Sequence, residues 1–185
     1  MVTVETMVGH TWLEIAHAEI TRLSVDAIVL SENDPRLLAS QPAAEQGVPA
    51  GQLTQNGGSA EAARARALSG TDLGLQARWV IAARVATREA SGESLPSAIT
   101  GSLKLAESLG ARTVAFSYLA TSDGSTSPYA QAENMLAAVR AYLVERRRSR
   151  LARVLFCAVQ PLEEAALGHA MSGSWRDERA IKRRP

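Results

Sequence analysis

The apolar positions of the chain change period several times, and each change marks an element. Residues 11–20 (TWLEIAHAEI) alternate apolar and polar side chains, which predicts a strand with one face buried. Residues 25–30 (VDAIVL) form a short β-branched run of the kind buried on both faces of a sheet. Residues 79–86 (WVIAARVA), 112–119 (RTVAFSYL) and 153–159 (RVLFCAV) repeat that signature. Between the strands the period becomes helical. Ser94 is placed to cap a helix with Pro96 in its first turn, and Leu95, Ile99, Leu103 and Ala106 then share one face until Gly110. Ser127-Pro128 opens a second helix with Met135, Leu136, Val139, Tyr142 and Leu143 on its apolar side. Pro161 opens a third, ending near Gly173. Residues 60–68 (AEAARARAL) favour helix by composition, and residues 33–59, rich in Asn, Pro, Gln and Gly, read as loop with room for a short helix.

Strands and helices alternating at short spacing predict an α/β fold: three layers, α/β/α, around a mixed, largely parallel sheet. Right-handed crossovers place helices on both faces. In such sheets ligands bind beyond the carboxyl ends of the strands. Here that means the loop after Leu30, the stretch before Trp79 and the loop after Leu119. Residues 1–173 are expected to form one domain, followed by a basic tail, 174–185, that lacks apolar periodicity and is expected to be disordered.

Composition narrows the function. The 185 residues carry a net charge of +1. From Arg140 onward, however, there are eleven Lys/Arg against five Asp/Glu. That asymmetry reads either as a solvated helix end and tail or as a patch for a polyanion. Eighteen Arg against two Lys, with abundant Ala, points to coding bias rather than to a binding device. Eight aromatic residues fall mostly on strands or apolar helix faces, with Tyr129 beside a loop and Trp175 in the tail, so a stacking platform for single strands is not expected. Nucleic acid is therefore an expected partner only weakly, through the basic C-terminal region. A single cysteine excludes an internal disulfide and a multi-cysteine zinc site. His10, His17 and His169 leave little for a metal cluster, so neither metal nor cofactor is expected. No apolar run approaches the ~18 residues of a membrane span, and the N-terminus lacks a signal pattern, so a cytoplasmic protein with no membrane partner is the expectation.

Phosphate-binding GxxxxGK[ST] and GxGxxG loops, HExxH and GxSxG are all absent. Cys157 lies inside an apolar strand and reads as core. His17 and His169 have no Ser or Cys partner nearby in sequence.

One block is more specific. Residues 18–33, AEITRLSVDAIVLSEN, resemble the opening of a macrodomain, the ADP-ribose-binding α/β/α module. The family shows a Gly-Asp-Ile-Thr turn, a Val-Asp-Ala-Ile-Val strand and an Asn-Ala-Ala-Asn strand end. This chain has Ala18-Glu19-Ile20-Thr21, then Val25-Asp26-Ala27-Ile28-Val29 in full, then Leu30-Ser31-Glu32-Asn33. Residues 75–83 (LQARWVIAA) are similar to the family's Leu-Pro-Ala-Arg-Tyr-Val-Ile-His strand, with Ala82 where His is usual. Residues 112–136 match its strand, phosphate loop and helix, and Arg153 to Met171 its last strand and helix.

The resemblance implies a ligand, ADP-ribose or an ADP-ribosylated target, and roles for particular residues. Glu19 takes the place of the acid that receives the adenine amino group, with Ile20 beside it. Asn33 matches the asparagine that contacts the distal ribose and, in hydrolytic members, orients the reacting groups; as plain structure it would form an Asx-turn before Asp34-Pro35. Glu32 and Asp34 flank it as candidate general bases or as surface carboxylates. For the first glycine-rich loop the nearest equivalent is Gly57-Gly58; another alignment assigns that stretch to a later segment. The second loop corresponds to Thr121, Ser122, Asp123 and Gly124, with Ser122 at the usual glycine and Asp123 opposing phosphate charge. Three uses remain open: binding, hydrolysis of an ADP-ribose conjugate, or a degenerate domain serving in assembly.

Overall fold

A computed structural model describes residues 2–35, 37, 65–85, 94–119 and 126–174. Seven strands form one mixed sheet: β1 (Val2–Val8), β2 (Thr11–His17), β3 (Ala27–Ser31), β4 (Ala65–Ser69), β5 (Trp79–Ala83), β6 (Thr113–Ser117) and β7 (Arg153–Ala158). Their order across the sheet is β1-β2-β7-β6-β3-β5-β4. The five inner strands are parallel, and β1 and β4 run antiparallel at the two edges. The described α-helices are α1 (Leu95–Ser108), α2 (Pro128–Glu145) and α3 (Pro161–Ser174).

The helix caps form as their sequences dictate. Ser94 Oγ accepts the Ser97 N–H, Ser127 Oγ accepts the Ala130 N–H, and Gly110 ends the first helix at φ 77°. The apolar faces predicted for α1 and α2 are all buried. The three helices lie on one face of the sheet over a core that contains Phe116 stacked on Phe156 at 5.9 Å between centroids. The helical cover expected on both faces is described on this face only. Among the described residues the opposite face is packed by Ile20, Val25, Leu37 and Ala77 against Ile28, Leu30, Val80 and Cys157. Cys157 is core, as expected, and burial pushes its thiol up to about 12.

Three elements differ from the sequence expectation. The strand of residues 11–20 stops at His17, because β7 offers no partner beyond Ala158, opposite His17; Ile20–Arg22 turns instead into a short 3-10 helix with Ile20 buried. The N-terminal VTVETMV forms β1, which closes on β2 through a two-residue turn with Gly9 at φ 62°. Within the helix expected over 60–68, the described part is β4: Ala65 and Ala67 face the helix side and Leu68 the other, and antiparallel pairing with β5 outweighs helix propensity. The aromatics also divide less evenly than expected. Trp12 is 42% exposed rather than core, directly across from the exposed Met7.

No described helix is long and apolar enough to cross a membrane. Residues 175–185, most of the expected tail, lie outside the described residues.

Candidate functional site

The five parallel strands end together, and that carboxyl edge gathers most of the described candidate residues. Because His17 pairs with Ala158, Glu19 and Val159 follow from neighbouring strands. Because Ser31 pairs with Ala83, Glu32 and Arg84 also emerge side by side.

At the β2 end, Glu19 is exposed and Ile20 is buried beneath it. The Glu19 carbonyl accepts the Arg22 N–H at 3.1 Å and its carboxylate meets the Arg22 guanidinium at 3.3 Å. Both side chains are largely in water, so this ion pair holds little energy and leaves the carboxylate available to a ligand. At the neighbouring end of β7, the Val159 and Gln160 N–H groups donate to the Glu163 carboxylate, which closes the start of α3. His17 Nδ1 lies 3.0 Å from Glu164 in the same turn.

At the β3 end the chain makes a tight turn. The Glu32 N–H extends the ladder to the Ala83 carbonyl, and the Asp34 N–H donates back to the Ser31 carbonyl, both at 2.9 Å. The Asn33 N–H faces Ser31 Oγ at 3.4 Å. The turn is therefore built by Ser31 and not by an Asx-turn from Asn33, whose side chain is exposed. Glu32 accepts from Arg84 Nε at 3.0 Å. Glu32, Asn33 and Asp34 thus share one turn, with Glu32 committed to an arginine.

At the β6 end, the Tyr118 hydroxyl donates to the Pro128 carbonyl at 2.5 Å. Burial, with the nearby Glu163 charge, pushes this phenol up to about 12, so it stays a donor. It ties the strand end to the start of α2 on either side of residues 120–125. Thr121, Ser122, Asp123 and Gly124, like Gly57 and Gly58, lie outside the described residues.

Arg84, Val159, Glu163 and Tyr118 were not singled out by sequence reasoning as site residues. The strand-end rule points to their segments, but a lone Arg, Val or Glu has no motif to flag it. The converse holds for Asp26, the acid of the motif matched in full. It lies at the opposite, amino edge, where its Oδ2 accepts the Arg112 N–H, the Thr113 N–H and the Thr113 hydroxyl at 2.8–2.9 Å. Burial would raise its pKa, but these donors and the Arg112 charge outweigh it and hold the carboxyl below its ordinary value. Its place in the motif is explained by joining β3 to β6.

No protein-family profile matches the chain, and no curated protein matches it. Solved structures do. The macrodomain of Oceanobacillus iheyensis with MES bound superposes with a TM-score of 0.70 at 14% identity, over 94% of this chain and 97% of that one. The macro domain of ganglioside induced differentiation associated protein 2 gives 0.64 at 20% identity, over 89% and 84%. The Trypanosoma brucei macrodomain in complex with ADP gives 0.63 at 21% identity, over 86% and 68%. The chain has the macrodomain fold.

Proposed function

We propose that this chain binds ADP-ribose, or a related nucleotide diphosphate, at the carboxyl edge of its sheet. The observation that carries the reading is convergence: the fold brings Glu19, Ile20 and Asn33, far apart in sequence from Arg84 and Val159, to one edge with them. The T. brucei relative, solved in complex with ADP, supports a ligand of this class. In this reading Glu19 accepts the adenine amino group in place of Arg22, and Ile20 packs below the base. The exposed side of Val159 offers the ring an apolar surface. Asn33 hydrogen-bonds the distal ribose. Residues 57–58 and 121–124, outside the described residues, are the sequence's candidates for contact with the pyrophosphate.

Calorimetric titration with ADP-ribose tests this. Measurable heat is expected in the native chain, with at least a tenfold loss of affinity in Asn33→Ala, about 1.4 kcal/mol. No heat at millimolar ligand overturns the reading. An ADP-ribosylated protein or other conjugate is the larger ligand that the same edge would admit. Hydrolysis would require Glu32 or Asp34 to activate water beside Asn33, and release of free ADP-ribose from a modified protein is its readout.

A second reading, a pocket turned to assembly, is favoured by one specific observation. Leu30 stands where the family has its first asparagine, and it is 1% exposed in the apolar packing beneath the edge. That substitution removes a polar group from the strand end.

A further inference from the structure

The amino edge of the sheet, opposite the candidate ligand site, has a different chemistry, and it does not depend on the reading above. Six exposed arginines lie along it: Arg78 before β5, Arg112 before β6, and Arg146, Arg147, Arg148 and Arg150 in the loop between α2 and β7. The strands they precede stand in the order β7-β6-β3-β5, so at ~4.8 Å per strand the row is roughly 15 Å long.

The row is built rather than incidental. Its loop is fixed by Glu107, whose carboxylate accepts the Ser149 hydroxyl, the Arg150 N–H and the Tyr142 hydroxyl at 2.5–2.9 Å. The Ala152 N–H binds the Arg112 carbonyl and joins the loop to the next arginine. Two guanidiniums are held over aromatic rings, Arg146 over Tyr142 at 5.2 Å and Arg78 over Trp79 at 5.4 Å. Arg147, Arg148 and Arg150 form no ion pair among the described residues. The carboxylates described along the edge are three. Asp26 turns inward onto the Arg112 and Thr113 N–H groups, Glu107 accepts the Arg150 N–H and two hydroxyls while also meeting the Arg146 guanidinium at 3.5 Å, and Glu145 is exposed at the end of α2.

We infer that this edge is a binding surface for the phosphate backbone of duplex nucleic acid. Planar guanidinium forks engage phosphate oxygens in pairs, and holding them in place beforehand lowers the entropy lost on binding. Each strand of duplex DNA presents a phosphate every ~3.4 Å of helix axis, so a row of this length spans several. The contact reads charge and spacing, not base sequence. Anionic lipid would also attract arginine, and the exposed Val144 and Trp12 flank the loop, so phosphatidylserine vesicles are the competing arm of the test; the length and spacing of the row favour the duplex.

The test is fluorescence anisotropy of a labelled duplex of about 20 base pairs, titrated with the full chain at about 50 and about 200 mM salt. Binding is expected at low salt. With about three phosphates neutralised, it should weaken roughly 40-fold at the higher salt. Combining Arg147→Ser, Arg148→Ser and Arg150→Ser should cut affinity at least tenfold and flatten the salt dependence. Arg78→Ser, at the far end, should weaken binding by a smaller factor. Arg183→Ser with Arg184→Ser should leave it unchanged. Three results overturn the inference: no binding at low salt, binding that survives the loop substitutions but not the tail substitutions, or binding only to phosphatidylserine vesicles.

Discussion

At the amino edge of the sheet, Asp26 and Glu107 accept hydrogen bonds from backbone N–H groups and hydroxyls of other elements, Glu107 with the Arg146 guanidinium in addition at 3.5 Å. At the carboxyl edge, Glu19 and Glu32 meet arginine side chains that are 84% and 54% exposed. The same side-chain chemistry serves two purposes. A carboxylate that satisfies the N–H groups at strand starts cannot be replaced without leaving donors unpaired, so it fastens the fold. One that holds a solvent-facing guanidinium exchanges partners at small cost, so it can serve a ligand. The difference teaches that conformity to a family motif does not place a residue at the proposed ligand edge: Asp26 conforms in full and lies at the opposite one.

That contrast is sharpest in stability. Glu107→Ala leaves the Tyr142 and Ser149 hydroxyls and the Arg150 N–H without their acceptor, and should destabilise the fold by about 3 kcal/mol in urea denaturation. A loss under 1 kcal/mol would show the amino edge to be as tolerant as the other.

Acid should separate the edges next. Burial works against the charged forms of Asp26 and Glu107, but their donors win and hold both below the ordinary values of 3.8 and 4.5. The native state then binds fewer protons than the unfolded chain, so stability rises with pH across this range. Their contribution is complete above the ordinary values and disappears as pH falls through the lowered ones. The urea midpoint should decline below about pH 4.5, and the decline should be shallower with Asp26→Asn and Glu107→Gln combined. An identical slope in that variant would assign acid sensitivity elsewhere.

The smallest effect on stability belongs to the carboxyl edge. Glu32→Gln should change stability by no more than about 1 kcal/mol, since Glu32 and Arg84 are 37% and 54% exposed, while altering ADP-ribose affinity measurably. A large unfolding effect with unchanged affinity would make Glu32 a structural residue like Glu107.

Most of the fold was legible in the sequence because its signals are local. A serine cap with a following proline, a glycine stop and a run of β-branched residues each act within a few positions. What escaped depends on partners distant in sequence. Ala65–Ser69 is a strand because β5 lies beside it, and residues 18–20 leave the strand because β7 ends. The site was legible in part for the same reason. Glu19 and Asn33 stand in a block that resembles a known pattern, whereas Arg84 comes to Glu32 only through the pairing of β3 with β5. The exposure of Trp12 could not be read from its alternation, which predicts two faces but not which is covered.

The place of β7 has a consequence for the making of the protein. The last of the described strands in chain order lies between β2 and β6, near the middle of the sheet. A nascent chain can close the β1–β2 hairpin early, and β3, β5 and β6 can find one another. Those two parts cannot join until residues 153–158 have left the ribosome. Folding therefore waits on an insertion, with the unpaired edges of β2 and β6 exposed in the meantime. Interruption of translation before that point would release a chain with two open strand edges, a substrate for chaperones rather than a smaller version of the domain.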